Sequence, residues 1–285
     1  MTNKICLITG ATSGIGKAAA VELAKLNYTL ILTARSEDKG LKLAEKIKKK
    51  YKIQAEFIKT DISSLSEVKH LAATVKQKYS RIDVLINNAG LRICEYQKSA
   101  DGIELTFATN HLGHFYLTIL LMELLKNSDS ARIINVSSSA HPGNKIDFDD
   151  IGNPKLYDRK KAYGQSKLAN VLCTYELARR VSNSKITANA MDPGGVATNF
   201  AWNEGLVPWL KHKIYYILKR KLLTPKQGAD TVIYLASSHD VEGITGKYFY
   251  LRKEKKSSPE SYDETAARKL WELSLKLCGL NNSII

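Results

Sequence analysis

The chain has 285 residues and 44% hydrophobic content, enough for one α/β domain with an ordinary buried core. Its formal charge of +15 would suit nucleic acid, an anionic membrane or an anionic ligand, but no nucleic-acid recognition motif accompanies the charge. Cys6, Cys94, Cys173 and Cys278 are scattered without metal or redox spacing, which points to a reducing cytoplasm and no metal site.

The predicted elements alternate along the chain. Ile5-Cys6-Leu7-Ile8-Thr9 is a short apolar run suited to a buried parallel strand, and a first strand this early leaves no signal peptide before it. The run enters a glycine-rich turn, and Ala18 to Leu26 follows as a helix stopped by Asn27. Thr29 to Thr33 is a second strand, Glu37 to Lys50 a helix, and Ala55 to Thr60 a third strand. Ser64-Leu65-Ser66-Glu67 reads as a capping box opening a helix to Lys78. Val84 to Ile86 leads into Asn87-Asn88-Ala89-Gly90. The uncharged run Leu105 to Met122 contains Asn110, His111, Gly113 and His114, so it reads as a buried helix and not as a membrane span. Ile133 to Ser137 is the fifth strand, a helix around Tyr163 runs to about Arg180, and Ile186 to Met191 is the sixth strand. Thr224-Pro225 caps a further helix, Lys247 to Tyr250 is the last strand, and Ser258-Pro259 opens a C-terminal helix over 258–280 that Gly279 closes. Strands alternating with helices imply a doubly wound, mostly parallel sheet with helices on both faces, in a single domain.

Two local patterns carry chemistry. Thr9-Gly10-Ala11-Thr12-Ser13-Gly14-Ile15-Gly16 lies between a strand and a helix, so backbone N–H groups gather at the positive end of the helix dipole. That is an anion site suited to a pyrophosphate, with glycines that let the backbone approach it closely. The spacing is GxxxGxG, not the common GxGxxG. Tyr163 and Lys167 stand four apart on one helix face, and an ammonium beside a phenol favours phenolate. A tight turn and a solvated helix face are the bland alternatives for the two motifs.

The motifs TGxxxGxG, Asn87-Asn88-Ala89-Gly90, a serine-rich strand end and YxxxK occur in an order that resembles the short-chain dehydrogenase/reductase family, over Lys4 to about Leu280. The resemblance implies a seven-stranded Rossmann-type sheet with ligands at the strands' carboxyl ends. It also implies hydride transfer between a nicotinamide and a carbonyl or carbinol carbon, with one proton moved by the protein. Tyr163 matches the family's proton donor and Lys167 the lysine that holds the nicotinamide ribose. Asn110 matches the residue that kinks its helix and completes a proton relay through a water. A serine must hydrogen-bond the reacting oxygen, and Ser137, Ser138 and Ser139 compete; the family's order laid on Asn135-Val136-Ser137-Ser138 selects Ser138. Gly10, Thr12, Ser13, Gly14, Ile15 and Gly16 then face the cofactor. Asp61-Ile62 matches the pair that meets adenine, and Asn88 the residue near its ribose. Pro193-Gly194 matches the motif that meets the carboxamide, with Thr198 near the pyrophosphate.

The second strand ends without the acid that would bind a 2′-hydroxyl; Arg35-Ser36 follows Ala34, and arginine suits a 2′-phosphate, so NADP(H) is the expected cofactor, with Lys17 and Lys39 assisting. The insertion Ala140 to Lys161, the run Ser166-Lys167-Leu168-Ala169-Asn170 and the run Glu264 to Trp271 resemble the retinol-dehydrogenase-like branch. Asp192 departs from it, because histidine usually precedes the Pro-Gly pair there. The expectation is therefore an enzyme acting on a broad lipophilic aldehyde, ketone or alcohol, soluble and cytoplasmic, oligomeric by resemblance to the family. A non-catalytic NADP(H)-binding regulator and a basic interaction module are the alternatives. Residues 199–223 are expected to form a substrate lid, with Leu210, Ile214, Ile217 and Leu218 on one helical side, a segment that could also rest on an anionic membrane.

Overall fold

The computed structural model describes residues 3–151, 156–196 and 222–281. Seven strands, β1 (Ile5–Thr9), β2 (Thr29–Ala34), β3 (Ala55–Lys59), β4 (Val84–Asn87), β5 (Ala131–Val136), β6 (Ile186–Asp192) and β7 (Tyr248–Tyr250), are joined by parallel pairings in the order β3-β2-β1-β4-β5-β6-β7. Most are apolar on both faces because helices cover both faces. The chain leaves β1 for β2 on one side and returns to β4 on the other, so the loops after β1 and β4 diverge at the sheet's carboxyl edge. A ligand crevice opens at such a switch point.

An eighth strand, β8 (Lys253–Glu254), extends the sheet beyond the seven expected and pairs antiparallel with β7. It follows a two-residue turn in which Leu251 and Arg252 both take positive φ, 51° and 62°. Hairpin turns of this shape are usually built from Asn and Gly, so Leu-Arg carried no signal for it.

The helices form two layers. On one face lie α1 (Gly14–Lys25), α2 (Glu37–Tyr51) and α8 (Pro225–Ser237), sealed by Leu23, Ile47 and Val232 against β1, β2 and β4. On the other lie α3 (Leu65–Lys78), a helical stretch from Leu105 to Lys126, α7 (Arg159–Arg180) and α9 (Glu264–Leu277). The stretch is not one regular helix. It comprises α4 (Leu105–Phe107), a π-helical turn (Ala108–Leu112), α5 (Gly113–Leu120) and α6 (Met122–Lys126).

The caps follow their residues with two departures. Thr224 and Gln227 complete a reciprocal capping box with Pro225 in the first turn. Ser64 accepts from Glu67 N, but Glu67 reaches back to the N–H of Asp61 and not of Ser64, so that box is only half formed. Asn27 at φ 62° ends α1, and Gly279 at φ 67° ends α9 with the Leu280 N–H bonded to the Leu275 carbonyl. Ser258-Pro259 opens a 3-10 turn, Pro259–Tyr262, and Asp263 then caps α9. α1 begins at Gly14, four residues earlier than the periodicity suggested, because its first turn is the glycine loop itself.

Trp271 anchors α9 to this frame: it is 2% exposed, meets Phe115 edge-on at 4.9 Å and carries the Arg180 guanidinium over its ring at 4.7 Å. Trp271→Ala is expected to cost about 3–5 kcal/mol. Urea unfolding with an unchanged slope would show it as a lowered midpoint; a loss below about 1 kcal/mol would mean that the region collapses to fill the space.

Candidate active site

The glycine loop is shaped for a close approach. Gly10 and Gly14 take positive φ, 65° and 52°, and a Cβ at Gly16 would collide with the Gly10 carbonyl oxygen. Ser13 is exposed at the N-cap of α1 with no capping bond from its side chain, and no acid sits in the first turn. Thr12, Gly14 and Ile15 are half-buried along the same rim. Arg35 is exposed immediately after β2, and Ser36, at the N-cap of α2, likewise makes no side-chain cap. Bare glycine backbone, an uncapped helix start and a nearby guanidinium are together a cradle that fits a phosphorylated dinucleotide.

Thr9 ties this loop to the end of β4. Its Oγ1 accepts from the N–H groups of Asn88 and Ala89, each at 2.9 Å. The same oxygen lies 2.8 Å from His114 Nε2. His114 Nδ1 faces the Asn110 carbonyl at 3.2 Å, which can only accept, so Nδ1 carries the proton. Burial pushes His114 down to about 3, so the ring is neutral and Thr9 donates to Nε2. Asn88 Nδ2 donates to the Thr9 carbonyl at 2.7 Å, so its amide braces the loop. Asp61 holds Ser63 through its N–H and hydroxyl, and Ile62 is buried.

The π turn places Asn110 across from Leu91. Asn110 Oδ1 accepts from Leu91 N at 2.8 Å, and its Nδ2 donates to Leu91 O at 3.0 Å and Ser166 Oγ at 2.9 Å. A Cβ at Gly90 would lie 3.3 Å from Asn110 Oδ1 and 3.6 Å from Lys167 Nζ, so Gly90, Asn110 and Lys167 meet at one point.

Asp158 caps α7 through the N–H groups of Lys160 and Lys161, and the helix presents Tyr163 and Lys167 on one face. Lys167 is 3% exposed; its Nζ donates to Val136 O at 3.0 Å and lies 5.7 Å from the centre of the Tyr163 ring. Burial lowers Lys167 to about 8, with the charge of Asp192 opposing the fall, so it remains largely protonated at neutral pH. Asp192 is buried and accepts from Gly194 N at 2.9 Å, which ties Pro193-Gly194 to the end of β6.

The three serines after β5 differ in their surroundings. Ser137 is buried and donates to the Lys167 carbonyl at 2.8 Å, and Ser139 is exposed. Ser138 is half-buried, its hydroxyl accepting from Ala140 N at 3.2 Å and its carbonyl from His141 Nδ1 at 2.7 Å. Thr198 and nearly all of the 199–223 segment lie outside the described residues; its flanks are joined by a parallel bridge between Val196 and Leu223.

The short chain dehydrogenase family profile matches residues 4–206. The chain belongs to this family. Human retinol dehydrogenase 14 is 40% identical over 98% of this chain and 88% of its own length. Human retinol dehydrogenase 13 is 39% identical over 97% and 85%. The crystal structure of an uncharacterised protein from Mycobacterium paratuberculosis is 33% identical with a TM-score of 0.77, covering 98% of this chain and 94% of that one. This short-chain dehydrogenase therefore stands in the retinol-dehydrogenase-like branch and is an oxidoreductase of alcohols and carbonyls that uses a nicotinamide cofactor. Among the described residues no helix is long and apolar enough to cross a membrane.

Thr9 and His114 brace these loops although the motif pattern names neither as a site residue: Thr9 opens the glycine motif, and His114 lies one turn after Asn110.

Two neutral buried histidines couple stability to pH. Burial lowers His111 to about 4 and His114 to about 3, below the unfolded value near 6.5. Their unfolded forms bind protons first, so stability is full above about 6.5 and falls as pH drops towards the folded values. Urea unfolding between about pH 6.5 and 4 should show a slope approaching 1.4 kcal/mol per pH unit for each ring. A flat unfolding free energy over that range would contradict the assignment.

Proposed function

We propose that this dehydrogenase interconverts a lipophilic aldehyde or ketone and its alcohol with NADP(H), and that Tyr163 moves the proton. The observation that carries the reading is the Tyr163–Lys167 pair: a phenol on α7 with a buried ammonium beside its ring. An ammonium at that distance favours the phenolate, which lowers the cost of giving the proton to a carbonyl oxygen. Ser138, the one of the three serines neither buried nor fully exposed, holds that oxygen in this scheme. Asn110 orients the Leu91 loop and the Lys167 end of the site.

A nicotinamide cofactor would supply the hydride. The glycine loop over 10–16 would hold its pyrophosphate, Arg35 and Ser36 a 2′-phosphate, and Asp61, Ile62 and Asn88 would serve the adenosine. Lys167, Tyr163, Pro193 and Gly194 would serve the nicotinamide half. Relatives named retinol dehydrogenases support a lipophilic substrate. Asp192 in place of the branch's usual histidine weakens the transfer of a retinoid substrate to this chain.

Tyr163→Phe keeps the ring and removes the proton donor. Turnover of octanal with NADPH should fall about 10²–10⁴-fold while NADPH affinity, followed by its fluorescence, stays near wild type. A variant that kept more than about a tenth of the rate would remove Tyr163 from the role.

Coenzyme choice tests Arg35. A hydrogen bond to a charged group is worth about 1.5–3 kcal/mol, so Arg35→Ala should weaken NADPH about ten- to hundredfold and leave NADH unchanged. Equal wild-type affinities for the two coenzymes would refute the NADP(H) reading.

A further inference from the structure

Arg92 stands in the loop after β4, two residues past Gly90, and its guanidinium carbon lies 5.6 Å from the centre of the Tyr163 ring. Lys167 Nζ lies 5.7 Å from the same centre. Two cations of different origin therefore act on one phenol, one from its own helix and one from the loop opposite.

The loop is held on both sides of Arg92. Leu91 is bonded through its N–H and its carbonyl to the Asn110 side chain, and the Ile93 carbonyl accepts from Tyr157 Oη at 3.1 Å. Leu91 and Ile93 are buried, and Arg92 between them is half-buried. A guanidinium on so fixed a backbone makes a standing electrostatic contribution, and one that is half-buried is screened less than a surface charge.

We propose that Arg92 is a positioning residue, a second fixed cation that stabilises the phenolate form of Tyr163. This inference rests on the reading of Tyr163 as the proton-moving group. Titratable groups around that phenol and its neighbours include Lys167 on the same helix, Tyr248 on β7, Asp192 at the end of β6 and His141 after β5. Asp192 acts on Lys167, Tyr248 and His141. Burial lowers His141, and it raises the Tyr248 phenol further above its ordinary value, so both are neutral at pH 7. Lys167 and Arg92 bring positive charge to the Tyr163 ring, and Asp192 is a carboxylate that bears on Lys167. Because Lys167 is half deprotonated at about 8, Arg92 is the cation that persists into alkaline solution.

The test is a tyrosinate absorbance titration in which the spectrum of Tyr163→Phe is subtracted, isolating one phenol among 14 tyrosines. The same subtraction is made in an Arg92→Met background and in an Arg92→Lys background. Arg92→Met should raise the Tyr163 pKa by about one unit and Arg92→Lys by clearly less, since the charge is kept. The pH profile of kcat/KM for 1-octanol oxidation should move alkaline by the same amount. An unchanged pKa in Arg92→Met overturns the proposal, and so does an equal shift in Arg92→Met and Arg92→Lys, which would mean loop distortion. A change in the KM for octanal with no pH shift would make Arg92 a substrate contact instead and equally overturns it. If Arg92→Met does not fold by circular dichroism, Arg92→Gln takes its place. The activity of Tyr163→Phe decides the underlying reading separately, because the phenol's pKa is measured without turnover.

Discussion

The hydroxyl of Thr9 is the junction on which the site depends. It receives two N–H groups from the loop after β4 and donates a hydrogen bond to His114, so one atom joins β1, the loop after β4 and α5. Each partner is buried or half-buried, and an unpaired group there would carry a desolvation penalty of about 1–3 kcal/mol. The glycine loop, the Asn88 turn and Asn110 are thus set relative to one another before any ligand arrives. The neutral state of His114 is part of that arrangement: a protonated ring would bring a second donor against the Thr9 hydroxyl, whose lone pairs already accept two N–H groups.

Around this junction the site is organised by one expensive group. A lysine as buried as Lys167 is strained towards its neutral form, and two features oppose the loss: the Val136 carbonyl and the negative charge of Asp192. Asp192 is therefore more than a departure from the branch's usual histidine. It places a carboxylate where the ammonium and two aromatic side chains can feel it, and its bond to Gly194 holds the turn after β6.

Much of the fold was legible because its signals are local. The apolar runs of β1, β2 and β4, the Thr224 cap with Pro225 and the Gly279 stop each depend on a few neighbouring residues. The eighth strand was not, since Leu251 and Arg252 adopt a turn that their side chains disfavour, held by pairing with β7 and by bonds from Arg252 to Thr231 and Asp230. The half-formed box at Ser64 was misread for a related reason. Glu67 had two backbone N–H groups within reach, and the path of the chain after β3 decided for Asp61. Burial separates Ser137, Ser138 and Ser139, a difference that the spacing of three identical residues cannot express.

By itself the sequence determined the order of strands and helices, the glycine loop at a helix start and the one-face placement of Tyr163 and Lys167. These follow from periods of two and 3.6 residues and from the bond geometry of glycine. Only the tertiary structure decided which groups from distant segments share a point: Gly90 with Asn110 and Lys167, His114 with Thr9, Arg92 with Tyr163. Those meetings are set by sheet order and by the packing of the two helical layers. The same long-range burial sets the charge state of Lys167, His111 and His114, because desolvation depends on every neighbour in space and not on neighbours in the chain.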